Sequence, residues 1–369
     1  MNSKALCHSI LATAEIPINS HEPWSIHVHN EKLWDRIISQ HQLGLGEAYM
    51  DGWWDCQAVD QMLTRLLSIN VISLLRPSPT VVLTALKSTL FNRQTKSRAA
   101  KNAKHHYNIG NELYSRMLDK EMAYSCAYWK DATTLDQAQI NKFDLICRKL
   151  KLEPGMKLLD IGSGWGGLLR HAVKNYGVIG YGISPAENQI EGARQRSVGL
   201  DITYMQQDYR ELTGEFDRVV SVGMMEHVGP KNLRTFFTQC DRLLSRNGLM
   251  LHHTITSTYS KSSTDPFFDR YIFPGGVIPS PAQICQAAEK LFIIEDVHNF
   301  GLDYDRTLLA WHENINRRWS EIPQYERRFQ RMWNYYLLAS AAGFRARNLN
   351  LMQFVFRKNG PQERYISER

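Results

Sequence analysis

The sequence lacks the cysteine spacing of a metal site or a disulfide framework. Its six cysteines lie far apart and no two form a Cys-x-x-Cys pair; they are Cys7, Cys56, Cys126, Cys147, Cys240 and Cys285. Such spacing excludes a zinc ribbon and a small disulfide-bonded scaffold. The first residues also contain no sustained apolar segment of the kind found in a secretory signal. We therefore expect a cytosolic protein with reduced thiols.

Long apolar runs are missing as well. No stretch approaches the roughly 18 apolar residues that a membrane-spanning helix needs, so the sequence predicts no transmembrane segment. What the chain has is 369 residues, with 43% hydrophobic side chains and a formal net charge of +7. This length predicts two domains. The charge favours an acidic partner, namely a nucleic acid, an anionic membrane surface or a small anion.

Glycines alternate with large aromatic residues in the stretch LGLGEAYMDGWWD, residues 43 to 55. Gly44, Gly46 and Gly52 beside Tyr49 and Trp53 predict tight backbone turns over an apolar patch. The favoured interpretation of this patch is the core of a small domain. The alternative is an exposed aromatic surface that contacts a partner or a lipid.

A boundary follows at RPSP, residues 76 to 79. Residues 80 to 108 are first apolar and then basic, without an acidic residue, which suits a segment lying on anionic lipid. A solvated linker fits equally well, and the thin aromatic content disfavours a nucleic-acid contact. We expect a small α+β domain over 1–80, a basic linker over 81–104 and a second domain over 105–369.

Short apolar runs alternate with helical patterns from about residue 150 onward. This alternation predicts an α/β domain with a doubly wound parallel sheet. Residues 256–290 interrupt it and are expected to form an inserted lid-like segment. Strands are predicted over 157–164, 178–184, 202–208, 216–223, 249–255 and 351–358, and helices over 165–176, 185–196, 230–244 and 325–345.

A glycine-rich turn in LDIGSGWGG, residues 159 to 167, follows the first of these strands. Gly162 and Gly164 allow a ligand to approach the backbone, and Asp160 is expected to fix the loop through backbone amides. The spacing is not the G-x-G-x-x-G of dinucleotide-binding enzymes; the form D-x-G-x-G is typical of S-adenosylmethionine (SAM) methyltransferases. Asp208, after the third strand, is then expected near the adenine, with an ordinary helix cap as the alternative.

The residues alone leave several roles open for the polar groups of the second domain. Cys126, within YSCAYW at 124 to 129, is interpreted as a buried thiol unless other evidence assigns it. Glu226 follows the fourth strand, where functional residues are frequent. His252 and His253 point to opposite faces of a strand, and nothing in the pattern chooses between them. A metal site remains a minor alternative, because the spacing is not that of a closed zinc site.

Several motifs together are far more specific than the glycine turn. On them the chain resembles the bacterial cyclopropane-fatty-acyl-phospholipid synthases nearly from end to end. The motifs are LGLGEAYMDGWW (43–54), HYNIGNELYSRMLD (106–119), YSCAYW (124–129), LLDIGSGWGGL (158–168), SVGMMEHVGPKN (221–232), LHHTI (251–255), YIFPGG (271–276), NFGLDYDRTLLAW (299–311) and YYLLASAAGFRAR (335–347). Two positions depart from the family pattern: Ser163 replaces a cysteine of the glycine loop, and Ser184 replaces a threonine.

The resemblance implies a class I SAM-methyltransferase fold and an established chemistry. Such enzymes transfer the SAM methyl group to the double bond of an unsaturated acyl chain in a phospholipid. The resulting carbocation-like centre loses a proton to a weak base, and the ring closes. In the family a bound bicarbonate ion is proposed as that base. Its holders map onto Cys126, Glu226, His253 and Tyr304, with the backbone of Ile255 close by.

The resemblance also implies the cofactor site and the partners. The SAM-binding residues map onto Tyr107, Tyr124, Asp160, Gly162, Gly164, Gln189 and Asp208. An acyl tunnel is expected within residues 267 to 278 and near Trp311 and Tyr335. The expected partners are a phospholipid bilayer, bound peripherally at the inner face of the membrane, and a second copy of the chain, with no nucleic acid. The alternatives are a SAM-dependent C-methyltransferase giving methyl-branched acyl chains, and a binding protein with a degenerate methyltransferase fold.

Overall fold

The chain forms two compact units in a computed structural model that describes residues 2–69, 94, 110–360 and 363–369. The first unit consists of Met1–Phe91, Ser262–Gly275 and Tyr304–Leu349, and the second of Asn92–Lys261, Gly276–Asp303 and Asn350–Arg369. Neither unit is one continuous stretch of sequence. The linker expected over 81–104 lies outside the described residues except at Gln94, so the expected domain boundaries stay a prediction.

The described helices and strands occur along the chain in the following order. The first part contains α1 (Ser3–Thr13), β1 (His27–Val28), α2 (Leu33–Met50), β2 (Trp54–Asp55), α3 (Val59–Ser68), α4 (Asn111–Met117) and α5 (Leu135–Lys149). The central part contains β3 (Lys157–Ile161), α6 (Gly167–Tyr176), β4 (Ile179–Ser184), α7 (Glu187–Arg196), β5 (Ile202–Gln206), β6 (Phe216–Val222), α8 (Leu233–Leu243) and β7 (Leu244–Ser257). The last part contains α9 (Pro266–Tyr271), α10 (Pro281–Ala288), β8 (Phe292–Asn299), α11 (Leu302–Asn316), α12 (Arg327–Arg345) and β9 (Leu349–Lys358).

The first unit is mainly helical. Helix α12 packs against α2 and α3, and α9 packs against α2. Gly46 lies inside α2, where an added Cβ would stand 2.5 Å from the Phe267 ring and 2.9 Å from the Tyr335 ring. The prediction of tight turns is therefore wrong at Gly44 and Gly46, because the small side chain at Gly46 admits aromatic rings to a helix surface. It holds at Gly52, which has a φ of 72°.

Ion pairs fasten α9 to α2 within the first unit. Glu47 on α2 is buried, and its carboxylate accepts from Arg36 at 2.7 Å and from the Tyr271 hydroxyl at 2.7 Å. Arg270 approaches the same carboxylate at 3.0 Å. A buried carboxylate with this many donors is satisfied, and breaking one partner would leave a costly buried charge.

The second unit contains a sheet with the strand order β5-β4-β3-β6-β7-β9-β8. The pairs β5–β4, β4–β3, β3–β6 and β6–β7 are parallel, as the alternating pattern predicts. Strands β8 and β9 pair antiparallel, so the sheet is mixed rather than wholly parallel. The α/β fold class is confirmed, and the antiparallel edge is the correction.

Helices cover both faces of this sheet. Leu159 and Val219 belong to one buried cluster, together with Phe236 and Phe237 of α8. Their strand neighbours Leu158 and Val220 belong to the other, with Phe143 and Ile146 of α5 and Leu168 and Leu169 of α6. Successive strand residues point to opposite faces, so each strand contributes to both clusters. The site therefore has to lie at an edge of the sheet rather than on a face.

Several elements differ from the expected ones. Helices α5 and α11 and strand β8 are additional to the predicted elements. The lid-like segment expected over 256–290 contains two short helices, α9 and α10, which fall in different units. Within the residues that the structure covers, no helix is both long and apolar enough to cross a membrane.

Candidate active site

The glycine turn lies at the carboxyl end of β3, the edge at which parallel α/β sheets bind ligands. Gly162 has a φ of 92°, and a Cβ there would meet Met224 at 3.1 Å. The amides of Gly162 and Ser163 donate to the Ile183 carbonyl at 2.9 and 3.0 Å. The expectation that Asp160 fixes this loop through backbone amides is wrong, since the end of β4 accepts those hydrogen bonds instead.

Asp160 instead presents a buried carboxylate next to the turn. Its Oδ1 has no hydrogen-bond partner among the described residues. Burial raises the pKa of Asp160 to about 7, and the positive charge of Lys142 lowers it in part. An unsatisfied buried carboxylate marks a place for a donor or a cation. Asp160 thus fits a ligand that carries positive charge, as SAM does.

Gln189 and Gly164 line the same turn. The Gln189 side chain is buried on α7, and its Oε1 accepts from the Ser184 hydroxyl at 3.0 Å. A Cβ on Gly164 would stand 4.0 Å from the Gln189 amide nitrogen. The serine at position 184 therefore orients Gln189, which keeps the Gln189 amide nitrogen beside the loop.

Asp208 follows β5 and caps the short 3-10 turn Tyr209–Glu211. Its carboxylate accepts from the Arg210 amide at 2.9 Å and pairs with the Arg210 guanidinium at 2.8 and 2.6 Å. The helix-cap alternative is thus present in the structure. The position near an adenine stays a prediction for Asp208, while Tyr107 lies outside the described residues.

The segment YSCAYW is fixed by helix α5. Gln139 donates from Nε2 to the carbonyls of Ala123 and Ser125, at 3.3 and 2.9 Å. Lys142 donates to the Ser125 hydroxyl at 2.8 Å. Cys126 is fully buried, and its Sγ donates to the Ala127 carbonyl at 3.2 Å. Two buried polar side chains one helical turn apart therefore hold the residues directly before Cys126.

Lys142 is a buried cation that faces several groups of the site. Burial lowers the pKa of Lys142 to about 8, and the carboxylates of Asp119 and Asp160 raise it in part. Asp119 is itself buried and accepts from the amides of two residues of the segment that leads into YSCAYW. The carboxylates of Asp119 and Asp160 offset the cost of burying this ammonium.

Tyr124 is half-buried and connects YSCAYW to the glycine turn through aromatic contacts. Its ring lies 5.1 Å from that of Tyr114, edge to face. Tyr114 in turn lies 5.3 Å from Trp165, the residue after Gly164. Edge-to-face and tilted pairs at these separations are favourable. The arrangement places Tyr124 where it can line the cofactor site.

Glu226 lies in the 3-10 turn Met225–His227, directly after β6. Its Oε1 accepts from the Ile255 amide at 2.7 Å, and its backbone carbonyl accepts from the Val277 amide at 2.8 Å. Its Oε2 is buried without a hydrogen-bond partner in the described part of the chain. Burial raises the pKa of Glu226 above its ordinary value. One oxygen is thus positioned by Ile255, and the other can accept from a ligand.

His253 lies on β7, and its carbonyl accepts from Gly223 at the end of β6 at 2.9 Å. The Gln353 amide nitrogen lies 3.2 Å from its Nδ1, whereas its Nε2 is buried without a partner among the residues described. Burial, and then the charge of Lys142, lower the pKa of His253 well below its ordinary value. The ring is therefore neutral at physiological pH.

His252 points to the other face of the sheet. Its ring lies 5.7 Å from Phe236 and 6.3 Å from Phe237 within the core. Burial lowers the pKa of His252 to about 3. The structure therefore distinguishes the two histidines, since His253 Nδ1 has the Gln353 amide as a partner, whereas neither ring nitrogen of His252 has a partner among the described residues.

Tyr304 belongs to the first unit, whereas Cys126, Glu226, His253 and Ile255 belong to the second. On α11 its ring stacks on Phe344 at 4.6 Å and meets Trp311 at 6.0 Å. Its role toward an anion stays a prediction, as do the roles of the other site residues.

Three side chains of the second unit were missed by the sequence reasoning. Lys142 and Gln139 interrupt the apolar face of α5, and Gln353 interrupts the apolar strand β9. Each is buried. Polar residues at buried positions of amphipathic elements are the signal that could have found them.

Neither a metal centre nor a disulfide is formed by the residues that the structure describes. No group of three His, Cys, Asp or Glu side chains there has the arrangement of a metal site. All six cysteines are among the described residues, and no disulfide joins them.

The comparisons with known proteins show the family of the chain. A family model described as mycolic acid cyclopropane synthetase matches residues 94–354. The chain is 47% identical over 352 residues to a cyclopropane-fatty-acyl-phospholipid synthase of Escherichia coli K12, covering 95% of this chain and 92% of the relative. It is 38% identical over 270 residues to a probable fatty acid methyltransferase of Pseudomonas putida, covering 68% and 67%.

The fold has solved counterparts too. The crystal structure of mycolic acid cyclopropane synthase CmaA1 complexed with SAH and CTAB matches with a TM-score of 0.66 and 32% identity, covering 70% of this chain and 98% of that one. The family and fold inferred from the motifs are confirmed. The chain belongs to the mycolic acid cyclopropane synthetase family of SAM-dependent methyltransferases.

Proposed function

We propose that this enzyme transfers the methyl carbon of SAM to the double bond of an unsaturated acyl chain in a membrane phospholipid and closes a cyclopropane ring, with bicarbonate as the base. One observation supports it above the others. Glu226 Oε2 and His253 Nε2 are both buried and lack partners in the described chain, close to the carboxyl edge that carries the glycine turn. An acceptor and a ring N–H of this kind suit a small anion that both donates and accepts hydrogen bonds.

The residues at the glycine turn suit SAM, which when bound supplies an electrophilic methyl group. Gly162 leaves the backbone open to close approach, and Gln189 is held in place by Ser184. Asp160 provides a buried negative charge toward a cationic ligand. Tyr124 adds an aromatic wall. These residues bind and orient the donor, which is the main contribution when the acceptor is a weak nucleophile such as an alkene.

The residues around Glu226 suit bicarbonate, which when bound supplies a weak base. Glu226 accepts a hydrogen bond at Oε2, while its Oε1 stays fixed by Ile255. The neutral His253 donates from Nε2, and Tyr304 is assigned a second donor role. Cys126 contributes a compact wall, held in place by Gln139 and Lys142. None of these groups attacks the substrate, so no covalent enzyme intermediate is formed.

A buried positive charge makes the proposed bicarbonate site suitable for an anion. Lys142 is fully buried and raises the local potential at Cys126 and His253. A cation nearby favours binding of an anion. Glu226 can then pass the released proton outward from the site.

The membrane partner and the oligomer belong to the same proposal. The protein associates peripherally with the inner face of the membrane and forms a homodimer. The net charge of +7 and the name of the E. coli relative support the lipid partner. Sedimentation with anionic vesicles at rising salt and analytical ultracentrifugation test these two points, and a monomer that ignores vesicles contradicts them.

One experiment tests the reaction. The protein is incubated with SAM and vesicles of an unsaturated phospholipid, and the acyl chains are analysed by mass spectrometry and proton NMR. We expect a mass gain of one CH2 per modified double bond and ring-proton resonances at high field. SAM binding without any change in acyl mass would refute the proposal. The matched control is the same lipid with saturated chains, which should remain unchanged.

A second candidate is a C-methyltransferase that leaves a methyl branch in place of the ring. The similarity to the probable fatty acid methyltransferase of Pseudomonas putida favours it. The same experiment separates the two products, because loss of the proton from the acyl chain instead of from the transferred methyl leaves a methyl-branched alkene, which has olefinic protons and no ring protons.

A further inference from the structure

We propose that Gln353 is a positioning residue that fixes the tautomer of His253, so that this histidine presents Nε2–H to the ligand site. The inference rests on the proposed anion-binding role of His253 and deepens it. No motif of the family resemblance contains Gln353, and the residue lies 100 positions from His253 along the chain.

The hydrogen bond between the two side chains has a direction. The Gln353 Nε2 lies 3.2 Å from His253 Nδ1. An amide nitrogen of glutamine can only donate, so Nδ1 has to accept and carries a lone pair. In a neutral imidazole the proton then stands on Nε2. Gln353 thereby turns a ring that could hold its proton on either nitrogen into a donor at one defined atom.

Burial strengthens the effect of Gln353 on the tautomer of His253. Gln353 has no exposed surface and His253 is 1% exposed, so water cannot replace the amide. Phe300 packs against the His253 ring at 5.8 Å and restricts its rotation. The charged and titratable groups that face the ring are Lys142 and Lys149 on α5 and His252 on its own strand. Both lysines oppose a second proton, so Gln353 acts on a neutral ring.

The strand arrangement places Gln353 for this purpose. It lies on β9, between β7 with His253 and β8, and its register partner on β8 is His298. Neighbouring strands fix the Cα and Cβ of Gln353, and its complete burial limits rotation of the side chain. A supporting group on a rigid strand is the usual means of orienting a functional histidine.

Gln353→Glu tests the inference directly. The variant keeps the size of the side chain but replaces the N–H donor by a carboxylate, which accepts from Nδ1–H. Neutral His253 then carries its proton on Nδ1 and has no donor at Nε2. Loss of one preorganised donor to an anion typically lowers kcat by about 100-fold, and we expect a loss of that order at pH 8.5. KM for SAM should stay within about twofold of the parent enzyme.

The pH profile separates this role from a structural one. The new carboxylate also favours the imidazolium, which carries Nε2–H again. At saturating bicarbonate, the activity of Gln353→Glu relative to the parent enzyme should therefore rise at least severalfold from pH 8.5 to 6.5. Gln353→Leu removes the amide without supplying an acceptor; it should lose about tenfold in kcat through loss of tautomer control, with a ratio that does not vary with pH.

A spectroscopic measurement reports the tautomer itself. Nitrogen-15 NMR of histidine-labelled protein, assigned by difference against His253→Asn, should show a protonated Nε2 in the parent enzyme and a protonated Nδ1 in Gln353→Glu at high pH. Gln239→Glu is the control, because Gln239 is also a buried amide and donates to the Leu212 carbonyl at 2.8 Å on α8. That variant should keep both the parent tautomer and the parent pH profile.

Two results would overturn the inference: a parent enzyme with the proton on Nδ1, or a Gln353→Glu variant with parent activity at pH 8.5. The NMR result does not depend on which base the enzyme uses. Turnover that is indifferent to bicarbonate removal would instead refute the proposed anion site, so the two failures are distinguishable.

Discussion

Replacing Glu226 by Gln should separate binding from turnover. The amide oxygen of Gln can still accept from the Ile255 amide, which lies 2.7 Å from Oε1. The second oxygen becomes an NH2 group, which donates and cannot accept a hydrogen bond from bicarbonate. The change therefore preserves the local backbone and inverts one contact toward the anion.

The expected size of the effect follows from that inversion. Loss of a preorganised contact of this type costs roughly 100- to 1,000-fold in kcat, or about 2.7–4 kcal/mol. The folding stability of the variant, in contrast to its kcat, should rise. Burial raises the pKa of Glu226, so the folded protein holds this proton more tightly than the unfolded chain does. Stability is then lost as pH rises above the unfolded pKa, and Gln removes this loss. At pH 7.5 we expect the variant to be more stable than the parent enzyme.

Three measurements check this prediction: cyclopropane formation by gas chromatography, SAM affinity by calorimetry, and the unfolding midpoint. Glu191→Gln is the matched control, because Glu191 is exposed on α7. It should leave all three quantities unchanged. A Glu226→Gln enzyme whose kcat stays within threefold of the parent would refute the assigned role. Weakened SAM binding would show that Glu226 belongs to the cofactor site instead.

Three further predictions concern the surroundings of Glu226. SAM affinity should rise between pH 6 and 7.5, because burial raises the pKa of Asp160 to about 7 and its ionised form favours a cationic ligand; calorimetry with Asp160→Asn, whose affinity should not vary with pH, checks this. Lys142→Met should lower kcat by about tenfold, since Ser125 loses its donor. Its unfolding free energy should fall, because the buried carboxylates of Asp119 and Asp160 lose the cation that offsets their charge. A kcat that stays at the parent value would contradict the role given to Lys142. Strict removal of bicarbonate should slow turnover reversibly while a chelator leaves it unchanged, and sensitivity to the chelator alone would favour the metal alternative.

Much of the fold follows from local sequence pattern. Strands β3 to β6 and helix α6 were predicted nearly to their ends, because apolar runs bounded by glycine report burial directly. Strand β8 was missed since Ile293, Ile294 and Val297 are partly exposed at the sheet edge, where the apolar alternation is weak. Gly46 was misassigned to a turn. A glycine is needed at this position because the rings of Phe267 and Tyr335, which are distant in sequence, pack against the helix there.

The site residues also fall into two groups, those that the sequence predicted and those that it did not. Gly162 and Glu226 follow strands directly, so their position at the ligand-binding edge is readable from the chain. The residue pattern alone did not choose between His252 and His253, and the resemblance implied His253; the packed sheet adds that His252 lies against aromatic rings. Gln353 acts across 100 residues, and no local pattern contains such a pairing.

The first unit has a consequence for how the chain is made. Helices α2 and α3 are synthesised early, yet the helix that packs against both of them, α12, ends at Arg345. Arg345 also pairs with Asp60 at 2.6 Å. The amino-terminal segment thus leaves the ribosome with its apolar surface uncovered and completes its core only after nearly the whole chain has emerged. During synthesis the second unit can bury most of its sheet first, and chaperones are expected to bind the exposed early helices until α12 arrives.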